Sequence, residues 1–302
     1  MQLPSLPLAL ETIAEHPDYL VLQRVPERFV DKSSSEDQCF VASIIDLETM
    51  GLNPSKDEII EIGLLSFLFD KERIISVTEQ FNGLQEPSTP IPEEITRITG
   101  ITDDDVRGKA IDWGAIEQLI QKSHLIICHN AGFDRNFLEL QTPVFIQDVI
   151  KKRAFGCSQK DVNWHLLGYE SAKLEYLNFK LGYFYDGHRA LTDCWATLNI
   201  LIEQEGAFEE LKESVRKKQL LICAENADFD KKDLLKSRGY RWSDGKGALP
   251  KCWYAILEQE RLAEEKAWLD DIIYNKAGTA SRLKSQTITA YNRYSLRAQG
   301  IE

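Results

Sequence analysis

The chain has 302 residues, 43% hydrophobic and 28% charged, with a net charge of −12; this balance excludes a disordered chain and allows one sizeable core plus a smaller unit. No apolar run approaches the ~20 residues a bilayer-spanning helix needs, and the N-terminus lacks the basic lead and cleavage site of an export signal, so a cytoplasmic protein with no membrane partner is expected. The acidity would argue against a nucleic-acid partner, but it is uneven: residues 1–205 hold 18 Lys and Arg against 33 Asp and Glu, and residues 206–302 hold 18 against 15.

In chain order, residues 1–38 read as an N-terminal extension that ends in the polar stretch Asp31 to Asp37, a loop or linker. CFVASIIDL is β-branched and apolar, as expected of a central strand covered on both faces. Asn53-Pro54-Ser55 is turn chemistry, and IIEIGLLSFLF and RIISVTEQF form an expected hairpin about Asp70-Lys71-Glu72. After an extended Pro87–Pro92 stretch, PEEITRIT and TDDDV read as short helices, with Thr102 and Asp105 spaced as a capped start. Residues 112–122 predict a helix, SHLIICHN a buried strand, and FDRNFLEL a helix with Asp134 in its first turn. Two more helices are predicted from Leu174 to Leu181 and from Ala190 to Ile202, the last capped by Asp186 or Gly187. Three strands followed by alternating helix and strand predict an α/β fold with a mixed central sheet over residues 39–205.

After Gly206 the character changes. A helix near 207–217, LLICAEN, DFDKKDLLKSRG, YRW, a Gly-rich turn from Ser243 to Gly247, and KCWYAILE predict a small α+β unit over residues 206–257. Residues 258–302 then give an amphipathic helix, EQERLAEEKAWLDDIIY, with Leu262, Trp268 or Leu269, and Ile272 on its apolar side, and a basic tail. The six cysteines contain no C-x-x-C pair, which argues against a zinc site or a disulfide framework.

The chemistry concentrates in three segments. Asp46 and Glu48 lie two apart on the first strand and so share a face; with Ile44, Ile45 and Leu47 around them, both acids are carried into apolar surroundings. That placement is costly for an unpaired charge and is relieved by a hard divalent cation. Asp134 alone would read as a helix-dipole partner, and His188 alone as a surface residue. His188 five residues before Asp193, at a helix start, lets both face one cleft, where a histidine exchanges protons near neutral pH. Paired metals held by shared carboxylates are the usual machinery for cutting phosphodiesters. In the C-terminal unit, Arg241, Trp242, Lys251 and Trp253 mix cations with aromatics, which suits stacking on unpaired bases but is first accounted for by a small aromatic core with cations on its rim. The tail ITAYNRYSLRA is a weaker version of the same pattern.

Together IIDLETMG, DEIIEIG, EEITRITGITDDDV, HNAGFDRNF and GHRALTDCWA resemble the DEDD exonuclease superfamily, close to the pattern of the DNA polymerase III epsilon subunit, over residues 39–203. The resemblance implies an RNase H-like fold and 3′-to-5′ hydrolysis that releases mononucleotides, with two Mg²⁺ or Mn²⁺ ions. It assigns Asp46, Glu48, Asp134 and Asp193 as metal ligands and His188 as general base. Arg189 stands where the superfamily's other branch has tyrosine, so the histidine branch fits. Thr49, Met50 and Leu52, with His129, Asn130 and Phe133 at the next strand end, are expected to face the substrate. Thr99 departs from a His often found there. The expected function is a DNA exonuclease acting on a free 3′ end, single-stranded DNA above all, in proofreading or repair. The alternatives are an RNA-trimming enzyme of the same chemistry and a nucleic-acid-binding module with a vestigial site. No polymerase or repair partner is identified by the sequence.

Overall fold

The computed structural model describes residues 10, 12–27, 39–245 and 249–299; the expected linker Asp31 to Asp37 and residues 246–247 of the expected Gly-rich turn lie outside them. Five strands form the main sheet: β2 (Phe40–Thr49), β3 (Ile59–Phe69), β4 (Ile74–Leu84), β5 (Leu125–Cys128) and β6 (Ala154–Cys157), in the order β4-β3-β2-β5-β6. β2 runs antiparallel to β3 and parallel to β5, and β5 runs parallel to β6. This is the mixed sheet of an RNase H-like fold. The hairpin turn between β3 and β4 is set by Asp70, whose Oδ1 accepts the backbone N–H groups of Glu72 (2.7 Å) and Arg73 (2.8 Å).

As its composition predicts, β2 is covered on both faces. On one side Ala42, Ile44, Leu65 and Phe67 pack with the helices α6 (Leu174–Lys180), α7 (Ala190–Glu203) and α8 (Ala207–Arg216). On the other, Ile45, Leu47, Ile62 and Leu64 pack with α3 (Trp113–Lys122), α4 (Ala131–Leu140) and α5 (Val144–Ile150). The short helices α1 (Glu93–Thr99) and α2 (Asp103–Val106) precede them, and Thr102 and Asp105 close a reciprocal capping box at the start of α2. The start of α7 presses so closely on β3 that a Cβ at Gly63 would lie 2.3 Å from the Ala190 carbonyl carbon. Only glycine allows this approach.

The N-terminal segment contributes a strand of its own. β1 (Gln23–Arg24) pairs in parallel with β7 (Tyr183–Phe184), just before α7.

Beyond α8, four antiparallel strands make a second sheet: β8 (Gln219–Ala224), β9 (Arg241–Asp244), β10 (Lys251–Glu258) and β11 (Ser285–Ile288), in the order β11-β8-β10-β9. Helices α9 (Lys232–Ser237) and α10 (Leu262–Trp268) cover one face, with Leu235, Leu269 and Ile273 against Ile222, Trp253 and Ala255. α10 widens at its end into a π-helical turn over Leu269–Ile273, where Tyr274 N donates to Leu269 O (2.9 Å). The widening turns Leu269 and Ile273 inward and leaves Trp268 and Ile272 half-buried. α8, on the C-terminal side of the expected boundary at Gly206, buries Ala207, Phe208 and Leu211 in the core of the first sheet.

The tail from residue 289 returns to the first sheet. Ala290 O accepts the N–H of Phe155 on edge strand β6 (2.8 Å), which covers an otherwise unpaired edge. Arg135 of α4, fully buried, donates to Ala290 O (3.1 Å), Arg293 O (2.7 Å) and Tyr291 O (2.5 Å), and pairs with Glu139 (2.9 Å). Arg297 also pairs with Glu139 (2.8 Å), and Arg293 with Asp161 (3.1 Å). Of the two readings open for the tail, nucleic-acid contact and packing, Arg293 and Arg297 serve the second. Both guanidinium groups are spent on buried carboxylates, which cannot be left unpaired in the interior.

Candidate active site

β2 presents Asp46 and Glu48 on one face, and a register shift after Glu48 ends the regular pairing with β3. Ligand oxygens of Asp46, Glu48 and Asp193 lie within 4.8 Å of one another. Asp193 sits in the first turn of α7, whose N-cap is Arg189 and neither Asp186 nor Gly187. The helix caps itself instead: Asp193 Oδ2 accepts the N–H of Arg189 (3.0 Å). Asp134 is buried in the first turn of α4, whose Ala131, Phe137 and Leu138 pack with Ile45 and Leu47 of the strand carrying two of the other acids. His188 adopts a left-handed backbone (φ 64°) and stands in the wall of a cleft of about 440 Å³ with Asp46, Asp193, His129 and Tyr185. The structure thus gathers Asp46, Glu48 and Asp193 into one cluster and sets His188 in the adjoining cleft wall, while Asp134 lies outside that cluster but close enough to Asp46 and Asp193 to repel them.

These carboxylates are short of cations. Burial, then Asp134, Asp193 and Glu48, pushes Asp46 well above the usual range. Burial, then Asp193 and Glu61, raises Glu48 to about 8. Burial and Asp193 raise Asp134 to about 8 against the pull of two backbone hydrogen bonds. Burial takes Asp193 to about 6. Such a set of oxygen donors fits a hard divalent cation, which would offset the repulsion that holds their protons on.

Sequence reasoning missed the groups that hold this arrangement. Glu61 on β3, opposite Glu48 in the register, is fully buried. Its carboxylate accepts from Arg189 Nη2 (2.8 Å) and Nε (3.1 Å), Ala190 N (3.1 Å) and Asn82 Nδ2 (3.1 Å). It therefore anchors the residues that follow His188. The signal was present: a lone acid inside IIEIGLLSFLF poses the same burial puzzle as Asp46. Tyr185 stands with Asp193 in the cleft wall, and burial raises its phenol well above the usual tyrosine range.

The other sequence candidates divide. His129 Nε2 faces Ala172 O (2.9 Å) and so donates, leaving Nδ1 to accept from Ser158 Oγ (2.9 Å). Burial holds its pKa down near 4. Its nitrogens are committed within the protein, and it offers the cleft only ring surface. Thr49 is buried and donates to Gly51 O (2.6 Å), Met50 packs beside Ile60 and Ile101, and Leu52 is 85% exposed. Asn130, left-handed at the start of α4, accepts from Lys160 (3.1 Å), and Phe133 packs on Phe137. In the second sheet Trp253 is core, with Trp242 edge-on to it at 5.3 Å; Arg241, Lys251 and half of Trp242 are exposed.

The family model of the RNase T family, described as "Exonuclease", matches residues 43–201. The chain is 33% identical over 130 residues to the PolC-type DNA polymerase III of Thermotoga maritima, covering 40% of this chain and 9% of that protein. It is 35% identical over 98 residues to the DNA polymerase III subunit epsilon of Treponema pallidum, covering 32% of this chain and 43% of that one. Among solved structures it is similar to exonuclease X in complex with 5′ overhanging duplex DNA, at 22% identity and a TM-score of 0.44, covering 57% of this chain and 98% of that one. The chain spans well under two thirds of the length of these polymerase relatives.

Proposed function

Since the chain belongs to the RNase T exonuclease family, we propose that it removes mononucleotides from the 3′ end of DNA, on single-stranded ends, in a proofreading or repair role. The observation that carries this reading is the cluster of Asp46, Glu48 and Asp193 at the cleft, with Asp134 near enough to repel it and all four carboxylates raised above their usual range. These four would hold two Mg²⁺ or Mn²⁺ ions, which when bound supply the positive charge that stabilises a phosphodiester under attack.

The chain's own residues do the rest. His188, presented by the Glu61–Arg189 anchor, takes the proton of the attacking water. Tyr185 flanks Asp193 in the cleft wall and shields it from water. The names of the polymerase relatives support DNA as the substrate, and the exposed Arg241, Trp242 and Lys251 of the second sheet offer a further contact to the strand. Among the described residues no helix is long and apolar enough to cross a membrane.

The test is incubation with 5′-labelled single-stranded DNA, recessed duplex and RNA, each with Mg²⁺, Mn²⁺ or a chelator. Metal-dependent shortening of DNA from the 3′ end is expected. Preferential shortening of RNA would replace the substrate, and no cleavage by folded protein would end the enzyme reading.

A further inference from the structure

The N-terminal strand builds a second groove against the catalytic domain. Gln23 N donates to Gly182 O and Val25 N to Phe184 O, both at 2.9 Å, and Val25 is buried in the main core. Between this strand and α6 lies a groove of about 440 Å³ whose walls include Leu22, Tyr176, Phe179, Tyr183 and Phe184. It shares Lys173, Glu175 and Tyr185 with the carboxylate cleft, so the two run into one another.

The rings here are not sealed into the core. Phe179 is 46% and Phe184 41% exposed. Cations lie over two faces: Arg24 Cζ is 4.8 Å from the Phe184 centroid, and Lys180 Nζ is 5.6 Å from that of Tyr176. Arg24 is itself steadied by Asp186 (2.8 Å), and Glu175 adds an acid to the shared wall. The groove is thus rich in aromatic surface and close to neutral in charge. Unpaired bases fit such a surface, because every base has a face to stack and a duplex keeps those faces occupied.

We propose that this groove is a subsite for the unpaired nucleotides immediately 5′ of the bond cleaved, so that the strand lies across α6 and the N-terminal strand with its 3′ end among the carboxylates. This rests on the 3′-exonuclease reading above. Stacking dominates the binding, so loss of a ring lowers affinity while the slope of affinity against salt, which counts phosphate contacts, stays nearly constant.

The experiment is fluorescence anisotropy of the full chain in chelator with 3′-unmodified oligothymidylates two and eight nucleotides long, so that binding is read without cleavage. Wild type is expected to favour the longer strand. In Phe179→Ala/Phe184→Ala, the preference is expected to fall by roughly ten-fold or more, on the scale of one or two stacked bases. Phe179→Tyr/Phe184→Tyr, which keeps the rings, is expected to retain it. An unchanged length preference in the folded alanine variant, or a loss shared equally by the tyrosine variant, overturns the subsite. So does wild type with no length preference. If wild type binds in this pattern but never cleaves with metal, the exonuclease reading fails while the groove stands.

Discussion

Asp134 and Glu139 lie on the same helix, both buried, and they titrate in opposite directions. Asp134 faces the other carboxylates, and burial with Asp193 lifts it to about 8. Glu139 faces the tail; burial alone would raise it, but Arg297, Arg135 and Ser295 more than offset this and hold it below the usual range. Arg135 completes the second arrangement, stacked over Phe155 at 4.1 Å with its donors spent on Glu139 and three backbone carbonyls. One side of α4 is therefore satisfied within the protein, and the other can be satisfied only from outside it. Buried charge with partners is architecture; buried charge lacking them marks where a ligand is needed.

The largest effect should come from the unsatisfied side. Asp46→Ala is expected to reduce cleavage by about a hundred- to thousand-fold or more, the scale of removing one preorganised electrostatic group. Its melting temperature in chelator should hold or rise, because a repelling charge has gone. Gel assays and a thermal melt check both, and undiminished cleavage would move the site elsewhere. On the satisfied side, Arg135→Met takes one of two guanidinium partners from Glu139, which keeps Arg297, and removes the Arg135 donor from Arg293 O, while Ala290 O keeps Phe155 N and Tyr291 O keeps Arg297. A loss of about 1–3 kcal/mol is expected in urea unfolding, the scale of a buried polar group that loses its hydrogen bond. A loss near zero would show that the tail clamp contributes nothing to the fold.

The sequence disclosed one of these sides far better than the other. Asp46, Glu48, Asp134, His188 and Asp193 were legible because each acid interrupts an apolar pattern or sits at a helix start, and both features are local. β2 was legible for the same reason: its β-branched run can hardly be anything but a buried strand. Nothing local singled out Arg135 and Glu139, since what buries them arrives from residues 289–297, far along the chain. The tail's arginines stayed open between nucleic-acid contact and packing for the same reason, because their partners Asp161 and Glu139 lie far back in the chain. β1 and β7 were also missed: two-residue strands have no periodicity to read, and only their pairing defines them. Glu61 could have been found, but was hidden by its place in a motif taken as apolar.

The two sides should also answer pH with opposite sign. Glu48 and Asp134 titrate near 8 and Asp193 near 6 when folded, against about 4 when unfolded. Between those values the folded chain holds more protons, so metal-free stability is fully present below about pH 4 and is lost as pH rises through 6 to 8. Glu139, with its lowered pKa, contributes stability above the ordinary glutamate value and loses it on acidification. Melting in chelator is therefore expected to fall by several degrees from pH 6 to pH 8 and to recover with Mn²⁺, by up to about 2.7 kcal/mol at a hundred-fold excess over Kd. A flat profile indifferent to Mn²⁺ would remove the electrostatic case for a metal site.

The smallest expected effect sharpens what joins charge satisfied inside to charge left for a ligand. Glu61 is satisfied like Glu139, yet it lies beside the unsatisfied set and holds the backbone after His188. Arg189→Lys keeps the positive charge but cannot reproduce the two-pronged contact with Glu61. A fall in kcat of about ten-fold is expected, less than the roughly hundred-fold or more that a positioned proton acceptor contributes, because His188 is kept and only its placement loosens. Affinity for substrate in chelator should change little, since the positions of the four carboxylates do not depend on the guanidinium. If KM and binding move while kcat holds, Arg189 contacts the nucleic acid directly and the Glu61 anchor is packing alone.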